Sequence, residues 1–185
     1  MNELACMKLE TFTIADAAEL FVLVDRNRAS LQKFWWESKT RFPADSEQFI
    51  SAAIHDEQYT GRPTRAIRLG SGALIGVGSV HSIDWEQKRG AIGYWIDQDH
   101  GGNGYATTTA RLLSQIAFST LGLRVVTIGC REDNMASRSV AEKAGFTLVS
   151  IDHQPTWQEG VKSTRTAHYE LVNQNFSSGS RASWN

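Results

Sequence analysis

The spacing of apolar residues divides the chain into a helical first part and a strand-rich middle. Residues 17–24 repeat apolar side chains at helical spacing, at Ala17, Leu20, Phe21 and Val24, with Asp16 placed to N-cap the helix. After residue 64 the period becomes that of strands separated by short polar turns, which indicates an antiparallel meander. The predicted elements up to this point are a strand over 7–14, the helix after Asp16, a helical piece over 31–36, a helix from Asp45 to about Ile54, and strands over 65–70, 73–83 and 89–96.

A glycine-rich segment follows the third of these strands. The sequence GGNG at residues 101–104 separates the strand from a long amphipathic helix. Glycine lets consecutive N–H groups turn inward, and a helix N-terminus adds unpaired donors and a positive dipole end. The pattern therefore predicts that residues 102–107 bind an anion such as a pyrophosphate. Glycines before a helix are also ordinary turn residues, so this signal alone is weak.

The last third of the chain predicts two more strand and helix steps. RVVTIGC at residues 124–130 is an apolar run suited to a strand covered on both faces. Asn134 opens a helix that Gly145 ends, and strands follow over 146–151 and 166–172. The remaining residues are small and polar. We predict one domain over residues 1–174 and a flexible tail over 175–185.

Composition and charge exclude several classes of protein. With 185 residues and 41% hydrophobic content, the chain suits one well-filled core. A net charge of -1 gives no basic footprint for nucleic acid, and no segment reaches the length of a membrane span. Cys6 and Cys130 lack metal or disulfide spacing, so we predict structural thiols, no metal and a cytoplasmic location. A dinucleotide fold is disfavoured because Thr107 replaces the third glycine of its motif, and no Gly-Lys-Ser/Thr motif marks a P-loop.

Several blocks in a fixed order give the chain its resemblance to a known family. They are DAAELFVLVDRNRASLQKFWW, LIGVGSVHSID, GAIGYWI, GGNGYAT, AFSTLGLRVV and DNMASRSVAEKAGF. In this order they resemble the GNAT superfamily of acyl-CoA-dependent N-acetyltransferases, specifically the RimJ/RimL type. The resemblance implies an α+β (mixed α/β) fold, with a mixed, mostly antiparallel central sheet splayed in the middle and flanked by helices. It also implies acetyl-CoA as co-substrate, with its pantetheine arm between the strands ending at 95–97 and at Cys130.

The resemblance implies a set of cofactor-binding residues. The family's phosphate loop maps to Gly101, Gly104 and Ala106, and Gly101 departs from the usual Arg or Gln. Asn134 matches an asparagine that reaches the pantetheine, although it is also a plain N-cap candidate. The implied cofactor-binding residues are Trp95, Ile96, Gly101, Gly102, Asn103, Gly104, Tyr105, Ala106, Thr107 and Asn134, with a backbone N–H near Trp95 and Ile96 polarising the thioester carbonyl.

The reaction also needs a proton donor for sulfur and a deprotonated amine. Ser137 matches the family's serine that donates a hydrogen bond to the coenzyme A sulfur, and it is our catalytic candidate; a plain first-turn serine is the alternative. The family's glutamate base aligns with Thr156, which cannot act as a base near neutral pH. The titratable candidates nearby are His81, Asp84, Glu86, His153 and Glu159. Water or an amine of lowered basicity remains an alternative to any of them.

Three further residues are candidates for the acceptor cleft. Trp35 and Trp36 fall where the family's first helices border it, and adjacent tryptophans of one helix cannot both face the same core. His81 matches a histidine of related sequences, with a plain strand histidine as the alternative. Core or edge packing is the alternative for the tryptophans.

The resemblance implies direct transfer in a ternary complex, most simply to the N-terminal α-amino group of a protein or peptide of the ribosomal kind. A small-molecule amine acceptor, such as an amino acid, a polyamine, an antibiotic or a toxin, is the alternative. A non-catalytic acyl-CoA-binding sensor is the alternative of another class, because the family glutamate is missing. Partners would be the acceptor and, as in relatives, a possible second copy of the chain, with no nucleic acid and no membrane.

Overall fold

A mixed sheet of seven strands forms the framework of the computed structural model, which describes residues 3–31, 40–154 and 164–174. The strands are β1 (Lys8–Thr11), β2 (Thr64–Arg68), β3 (Leu74–Asp84), β4 (Arg89–Ile96), β5 (Val125–Arg131), β6 (Thr147–Gln154) and β7 (Thr164–Val172). The helices are α1 (Ala17–Arg26), α2 (Arg28–Leu31), α3 (Pro43–Thr60), α4 (Tyr105–Ser119) and α5 (Met135–Ala144).

The strand order in the sheet is β1-β2-β3-β4-β5-β7-β6. The pairs β1 with β2, β2 with β3, β5 with β7 and β6 with β7 are antiparallel, whereas β4 and β5 are parallel. A parallel pair needs a crossover connection, and α4 provides it. The predicted mixed, mostly antiparallel sheet with flanking helices is confirmed.

The chain divides into two compact units, of which the first comprises Met1–His81 and Ile92–Leu113. In this unit, the neighbouring residues Ala66 and Ile67 of β2 point to opposite faces of the sheet, and each face packs against helices. Ala66 packs in a cluster with residues of α1, whereas Ile67 packs in a second cluster with Tyr105 of α4. Two apolar layers therefore enclose this part of the sheet.

The second unit comprises Ser82–Ala91 and Ser114–Asn185. Here α5 packs against β5 and β6. Val126 and Ile128 of β5 are buried, and Ala167 and Tyr169 of β7 are buried beside them. One face of the β5–β7 pair thus carries the apolar core of this unit.

Three local predictions differ from the structure. Asp16 stands at the N-terminus of α1 but makes no side-chain cap; its carboxylate accepts from Thr13 N–H at 2.7 Å and closes the preceding 3-10 turn. Helix α3 starts at Pro43 rather than Asp45, because proline is favoured at the first helical position. The prediction of a β5 covered on both faces is wrong, since Gly129 is exposed where Val126 and Ile128 are buried.

Other predictions are confirmed or lie outside the described residues. Gly145 ends α5 with φ of 98°, as predicted. The helical piece over 31–36 is described only to Leu31, so Trp35 and Trp36 lie outside the described residues, as do Thr156, Glu159 and the 175–185 tail. Within the described part of the chain, no helix is both long and apolar enough to cross a membrane.

Candidate functional site

The glycine loop before α4 has the backbone geometry that an anion cradle requires. Gly102 and Gly104 have φ of 78° and 83°, a region that residues with a Cβ rarely adopt. Helix α4 begins at Tyr105, and Thr108 N–H donates to Gly104 O at 3.0 Å. The N–H groups of the first turn have no intrahelical acceptor, so they are available to an anion. The residues present therefore fit the phosphate-bearing part of a ligand.

Side chains of the loop residues stabilise the loop by hydrogen bonds to its backbone and by packing in the adjacent apolar cluster. Asn103 Nδ2 donates to His100 O at 3.3 Å and to Gly101 O at 3.1 Å. Tyr105 is buried in the apolar cluster under the loop, and its ring centroid lies 6.2 Å from that of His100. Ala106 and Thr107 follow in the first turn of α4 and are half-buried. Asn103 and Tyr105 thus have structural contacts of their own.

A fully buried carboxylate anchors the start of this loop. Asp97 directly follows β4, and its carboxylate is bound by the guanidinium of Arg26, by Asn27 Nδ2 at 2.8 Å and by His100 Nδ1 at 3.0 Å. Asn27 is also fully buried; its Oδ1 accepts from Gln98 N–H at 2.9 Å, and its Nδ2 also donates to Leu23 O at 2.8 Å. The C-terminal end of α1 is therefore tied to the segment that leads into the glycines.

The ionisation of Asp97 follows from these contacts. Burial alone would raise its pKa, but the hydrogen bonds from Asn27 and His100, the charge of Arg26 and the N–H of Asp99 outweigh burial and lower the pKa. Asp97 is therefore a carboxylate at neutral pH. Sequence reasoning missed this anchor. Asn27 and Asp97 are hydrogen-bonded although they are 70 positions apart in the sequence, and no local pattern indicates such a contact.

The strand that leads into the loop carries the predicted carbonyl-polarising residues. Trp95 is buried among residues of α1, whereas Ile96 packs with Tyr105 on the opposite face. His81 of β3 lies beside Gly93 of β4, where a Cβ would come within 3.1 Å of the imidazole Nε2. His81 is exposed to solvent on one side, and desolvation by the neighbouring protein, followed by the charge of Arg62, lowers its pKa, which favours the neutral imidazole at pH 7.

The second unit places Asn134 and Ser137 at the N-terminus of α5. Asn134 Oδ1 accepts from Ser137 N–H at 3.1 Å, so the predicted N-cap is confirmed. Ser137 is half-buried, and within the described residues no hydrogen bond occupies its hydroxyl. The serine hydroxyl is thus able to donate to a ligand atom at this helix end.

Close to this helix end, a polar network centred on the buried Tyr169 joins α5 to β7. Arg138 Nε donates to the hydroxyl of the fully buried Tyr169 at 3.0 Å, and that hydroxyl donates to Glu142 at 3.0 Å. Cys130 lies beside this network; burial raises its pKa first, while the charge of Arg138 opposes and that of Glu142 reinforces the rise. Cys130 is therefore a neutral thiol, and both Cys6 and Cys130 are free.

The candidate bases named from the sequence lie in different parts of the structure. Asp84 is engaged in its turn, where it accepts from Gln87 N–H at 2.8 Å, and Glu86 is exposed in the same turn. The backbone of His153 lies in β6, and Glu159 lies outside the described residues. Sequence reasoning missed one further pair, His168 of β7 and Asp152 of β6, which are joined Nε2 to Oδ1 at 2.7 Å. The alternation of side chains along TAHYE at residues 166–170 could have placed His168 on the strand face opposite the core.

Comparison with known proteins places these features in a family. Residues 7–147 match the family model described as "Acetyltransferase (GNAT) domain". The chain is 31% identical over 160 residues to the Bacillus subtilis protein named "Putative ribosomal N-acetyltransferase YdaF", covering 85% of this chain and 83% of that protein. It is 29% identical over 143 residues to the Escherichia coli ribosomal-protein-serine acetyltransferase, covering 76% and 79%.

Solved structures share the fold over nearly the full chain. The microcin C7 self-immunity acetyltransferase MccE, solved with acetyl-CoA and AMP, superposes with a TM-score of 0.83 at 27% identity, covering 90% of this chain and 92% of that one. RimL, the ribosomal L7/L12 alpha-N-protein acetyltransferase solved with coenzyme A, has a TM-score of 0.83 at 24% identity, covering 90% and 94%. Among the described residues, no group of three or more His, Cys, Asp or Glu is placed to hold a metal ion.

Proposed function

The chain belongs to the GNAT acetyltransferase family, and on that premise we propose that it acetylates the N-terminal α-amino group of a protein or peptide. Acetyl-CoA is the acetyl donor of this acetyltransferase. The observation that carries the choice of acceptor is the similarity, over more than four-fifths of both chains, to a protein named as a ribosomal N-acetyltransferase. The acceptor proposal includes a cytoplasmic setting, where the two free thiols are expected to stay reduced.

The glycine loop supports the proposed binding of the coenzyme. We propose that the backbone of residues 101–107 holds the pyrophosphate, since Gly102 and Gly104 adopt positive φ and the α4 N-terminus follows directly. Asn134 would serve both as the observed N-cap and as a pantetheine contact. Backbone N–H groups near Trp95 and Ile96 would polarise the thioester carbonyl.

The chemistry needs few protein groups, because a thiolate is a good leaving group. In the proposed ternary complex the amine attacks the thioester directly, and the hydroxyl of Ser137 donates to the departing sulfur. Support for this role is the position of Ser137 in the first turn of α5, with its N–H capped and its hydroxyl not used by the described residues. His81, neutral and beside Gly93, is proposed to contact the acceptor.

The basicity of the acceptor also favours an N-terminus. An α-amino group has a pKa near 8 against about 10.4 for lysine, so a larger fraction of it is unprotonated at neutral pH. The family glutamate position is Thr156, and an acceptor that is easier to deprotonate suits such a site. Peptide N-termini should therefore react faster than lysine side chains.

A small-molecule acceptor is the second candidate, and one observation favours it. The self-immunity acetyltransferase MccE, named for protection against microcin C7, shares this fold at 27% identity and a TM-score of 0.83. An antibiotic or toxin amine therefore belongs in the same test.

The test measures thiol release from acetyl-CoA with a panel of acceptors. The panel contains short peptides with free N-termini, N-blocked lysine peptides, free amino acids, polyamines and aminoglycosides, each against an acceptor-free control. Fastest release with the free N-termini supports the proposal, and fastest release with lysine peptides or small amines refutes the acceptor class. Tight acetyl-CoA binding in calorimetry without release for any acceptor would indicate a non-catalytic sensor.

A further inference from the structure

We propose that Gly76 of β3 is a positioning residue for acetyl transfer, because it keeps the Trp95–Ile96 peptide of β4 in the orientation that directs the Ile96 N–H to the thioester carbonyl. This inference rests on the proposed polarisation of that carbonyl by the backbone of β4. The three residues lie in the same compact unit. Gly76 brings no functional group of its own, so its role is the space that it leaves free.

The carbonyl oxygen of Trp95 occupies the space in which a side chain at position 76 would lie. A Cβ on Gly76 would come within 2.2 Å of Trp95 O and 3.2 Å of Ile96 Cα, and the first of these distances is shorter than any ordinary contact of a Cβ. Gly76 does not have a positive φ, so its backbone conformation does not require glycine. The close approach of the Trp95 carbonyl is therefore the reason for glycine at this position.

The position of Trp95 O determines where the next N–H group points. The Trp95–Ile96 peptide bond is trans and planar, so the Ile96 N–H is directed opposite to the Trp95 carbonyl and away from β3. The following residue agrees with this orientation, because Asp97 N–H donates to Ile75 O of β3 at 2.7 Å. Successive residues of a strand direct their backbone groups to alternate sides, so Ile96 turns its N–H to the side away from β3.

On that side, the pairing of β4 with its other neighbour ends before Ile96. The register of β4 with β5 includes Arg89–Ala91, and Ile96 lies beyond this stretch. The Ile96 side chain packs against the apolar cluster that contains Tyr105, the first residue of α4. The residue that directs its N–H away from β3 is therefore also in contact with the elements that carry the glycine loop.

Strand β3 has little freedom to move away from an added side chain. It lies between β2 and β4 in the sheet, and Gly76 is the register partner of Ile67. Ile67 and the neighbouring Ile75 are fully buried. Rotation of the Trp95–Ile96 peptide about its two Cα atoms, in contrast, relieves the overlap without moving either side chain. Gly76→Ala should therefore turn this peptide and redirect the Ile96 N–H.

The oxygen that this N–H would meet carries the charge that develops during transfer. The amine nitrogen forms the C–N bond, and the π electron pair of the carbonyl moves to oxygen, where a fixed N–H stabilises it. The C=O bond then forms again, and the C–S bond breaks with its electron pair on sulfur. The nitrogen loses one proton to water and the sulfur gains one, so the products are the acetylated amine and coenzyme A.

The experiment compares Gly76→Ala with wild type by infrared spectroscopy of acetyl-CoA that is isotope-labelled at the thioester carbonyl carbon. A hydrogen bond from the Ile96 N–H lowers the stretching frequency of the bound carbonyl. Binding to wild type should therefore shift this band to lower frequency, and Gly76→Ala should lose that shift. No acceptor is needed for this measurement, so it is independent of the acceptor class.

Transfer rates measure the same effect on the reaction. In single-turnover transfer to the acceptor that wild type uses best, the rate of Gly76→Ala should be about 100-fold lower, which is typical of one lost oxyanion donor. The Kd of coenzyme A, which lacks the thioester carbonyl, should change less than about twofold. A glycine needed only for packing would give no such separation between the rate and the Kd.

Gly78→Ala is the matched control on the same strand. Gly78 lies on the same face as Gly76, and a Cβ there would lie 3.0 Å from Leu113 Cδ1 and 3.3 Å from Thr109 Cγ2. These atoms belong to side chains of α4, which are able to shift, whereas the obstacle at Gly76 is backbone. Gly78→Ala should lower stability in urea unfolding and leave the carbonyl band and the transfer rate near their wild-type values.

A measurement on wild type keeps the proposal testable if Gly76→Ala does not fold. Trp95 and Ile96 form the one Trp-Ile pair in the sequence, so labelling tryptophan at its carbonyl carbon and isoleucine at its nitrogen selects a single amide signal in NMR. The Ile96 amide proton should move further downfield when acetyl-CoA binds than when coenzyme A binds. Equal shifts with both ligands would mean that this N–H does not meet the thioester carbonyl.

The outcomes separate this proposal from the proposed function. A carbonyl band that does not shift on wild type, a band that shifts equally in Gly76→Ala, or equal transfer rates of Gly76→Ala and Gly78→Ala overturn the positioning role, while acceptor-dependent transfer by wild type leaves the proposed function standing. Absence of transfer to every acceptor overturns the proposed function, and the infrared and NMR measurements then decide the role of Gly76.

Discussion

Replacing Asn27 by alanine should destabilise the protein and weaken acetyl-CoA binding together, because this one side chain joins α1 to the start of the glycine loop. Asn27 is fully buried and makes three hydrogen bonds, to Leu23 O, to the Asp97 carboxylate and from Gln98 N–H. Two are neutral and contribute about 1 kcal/mol each, and the bond to the carboxylate contributes about 1.5–3 kcal/mol. The expected loss is therefore about 3.5–5 kcal/mol, out of a total stability of about 5–15 kcal/mol.

Urea unfolding measures this loss directly. With a denaturant slope of about 2–3 kcal/mol per molar, the midpoint should fall by about 1–2.5 M. Asp25→Ala is the matched control, two residues away on the same helix. Its carboxylate is exposed and pairs with Arg28, so its removal should cost at most about 0.5 kcal/mol.

The functional half of the prediction concerns the loop. Gln98 begins the segment that carries Gly102 and Gly104, so loss of its bond to Asn27 should loosen the cradle. The KM for acetyl-CoA should rise at least about threefold under conditions where the variant is folded, with kcat near the wild-type value. A loss of stability below about 1 kcal/mol together with an unchanged KM would refute Asn27 as the anchor.

Three other predictions concern the same elements. Because folding lowers the pKa of Asp97, its contribution to stability should be present above about pH 4 and be lost as the pH falls through the lowered pKa. In denaturation curves, the difference in unfolding free energy between Asp97→Asn and wild type should therefore become smaller over that acid range. A difference that stays constant with pH would contradict this. Ser137→Ala should lower kcat at least about tenfold while the calorimetric affinity for coenzyme A stays the same, with Ser139→Ala on the same helix as control, and equal turnover would remove Ser137 from the mechanism. Gly104→Ala should lower the free energy of unfolding by about 1–2 kcal/mol and raise the KM for acetyl-CoA. Gly72→Ala is the control, because Gly72 has a similarly positive φ in the β2–β3 turn; it should lower stability by as much and leave that KM unchanged.

The sequence predicted local structure correctly where residues close together in the chain decide it. The change from helical to alternating periodicity predicted the order of the elements, and Asn134 and Gly145 marked the two ends of α5 because caps depend on residues within one turn. The glycines of the loop predicted a backbone that turns its N–H groups inward, and the structure shows positive φ at Gly102 and Gly104. The sheet, its mixed character and the family came from the order of such local blocks.

Only the tertiary structure decided how distant polar residues combine. Asp16 has the sequence of an N-cap, yet it binds Thr13 and Arg68 because β2 brings that guanidinium to it. RVVTIGC is mostly apolar, yet one face of β5 carries the exposed Gly129, because burial depends on what packs against each face.

Two polar pairs of the structure have the same origin. Asn27 meets Asp97, and His168 meets Asp152, only because strands and helices that are distant in sequence become neighbours in space. No local pattern encodes such a meeting, since hydrogen bonds act over about 3 Å while the sequence specifies only the order of residues along the chain. The sequence by itself determined the order of the elements, the fold class and the glycine loop; the packing of those elements decided which carboxylate is buried and which histidine is paired.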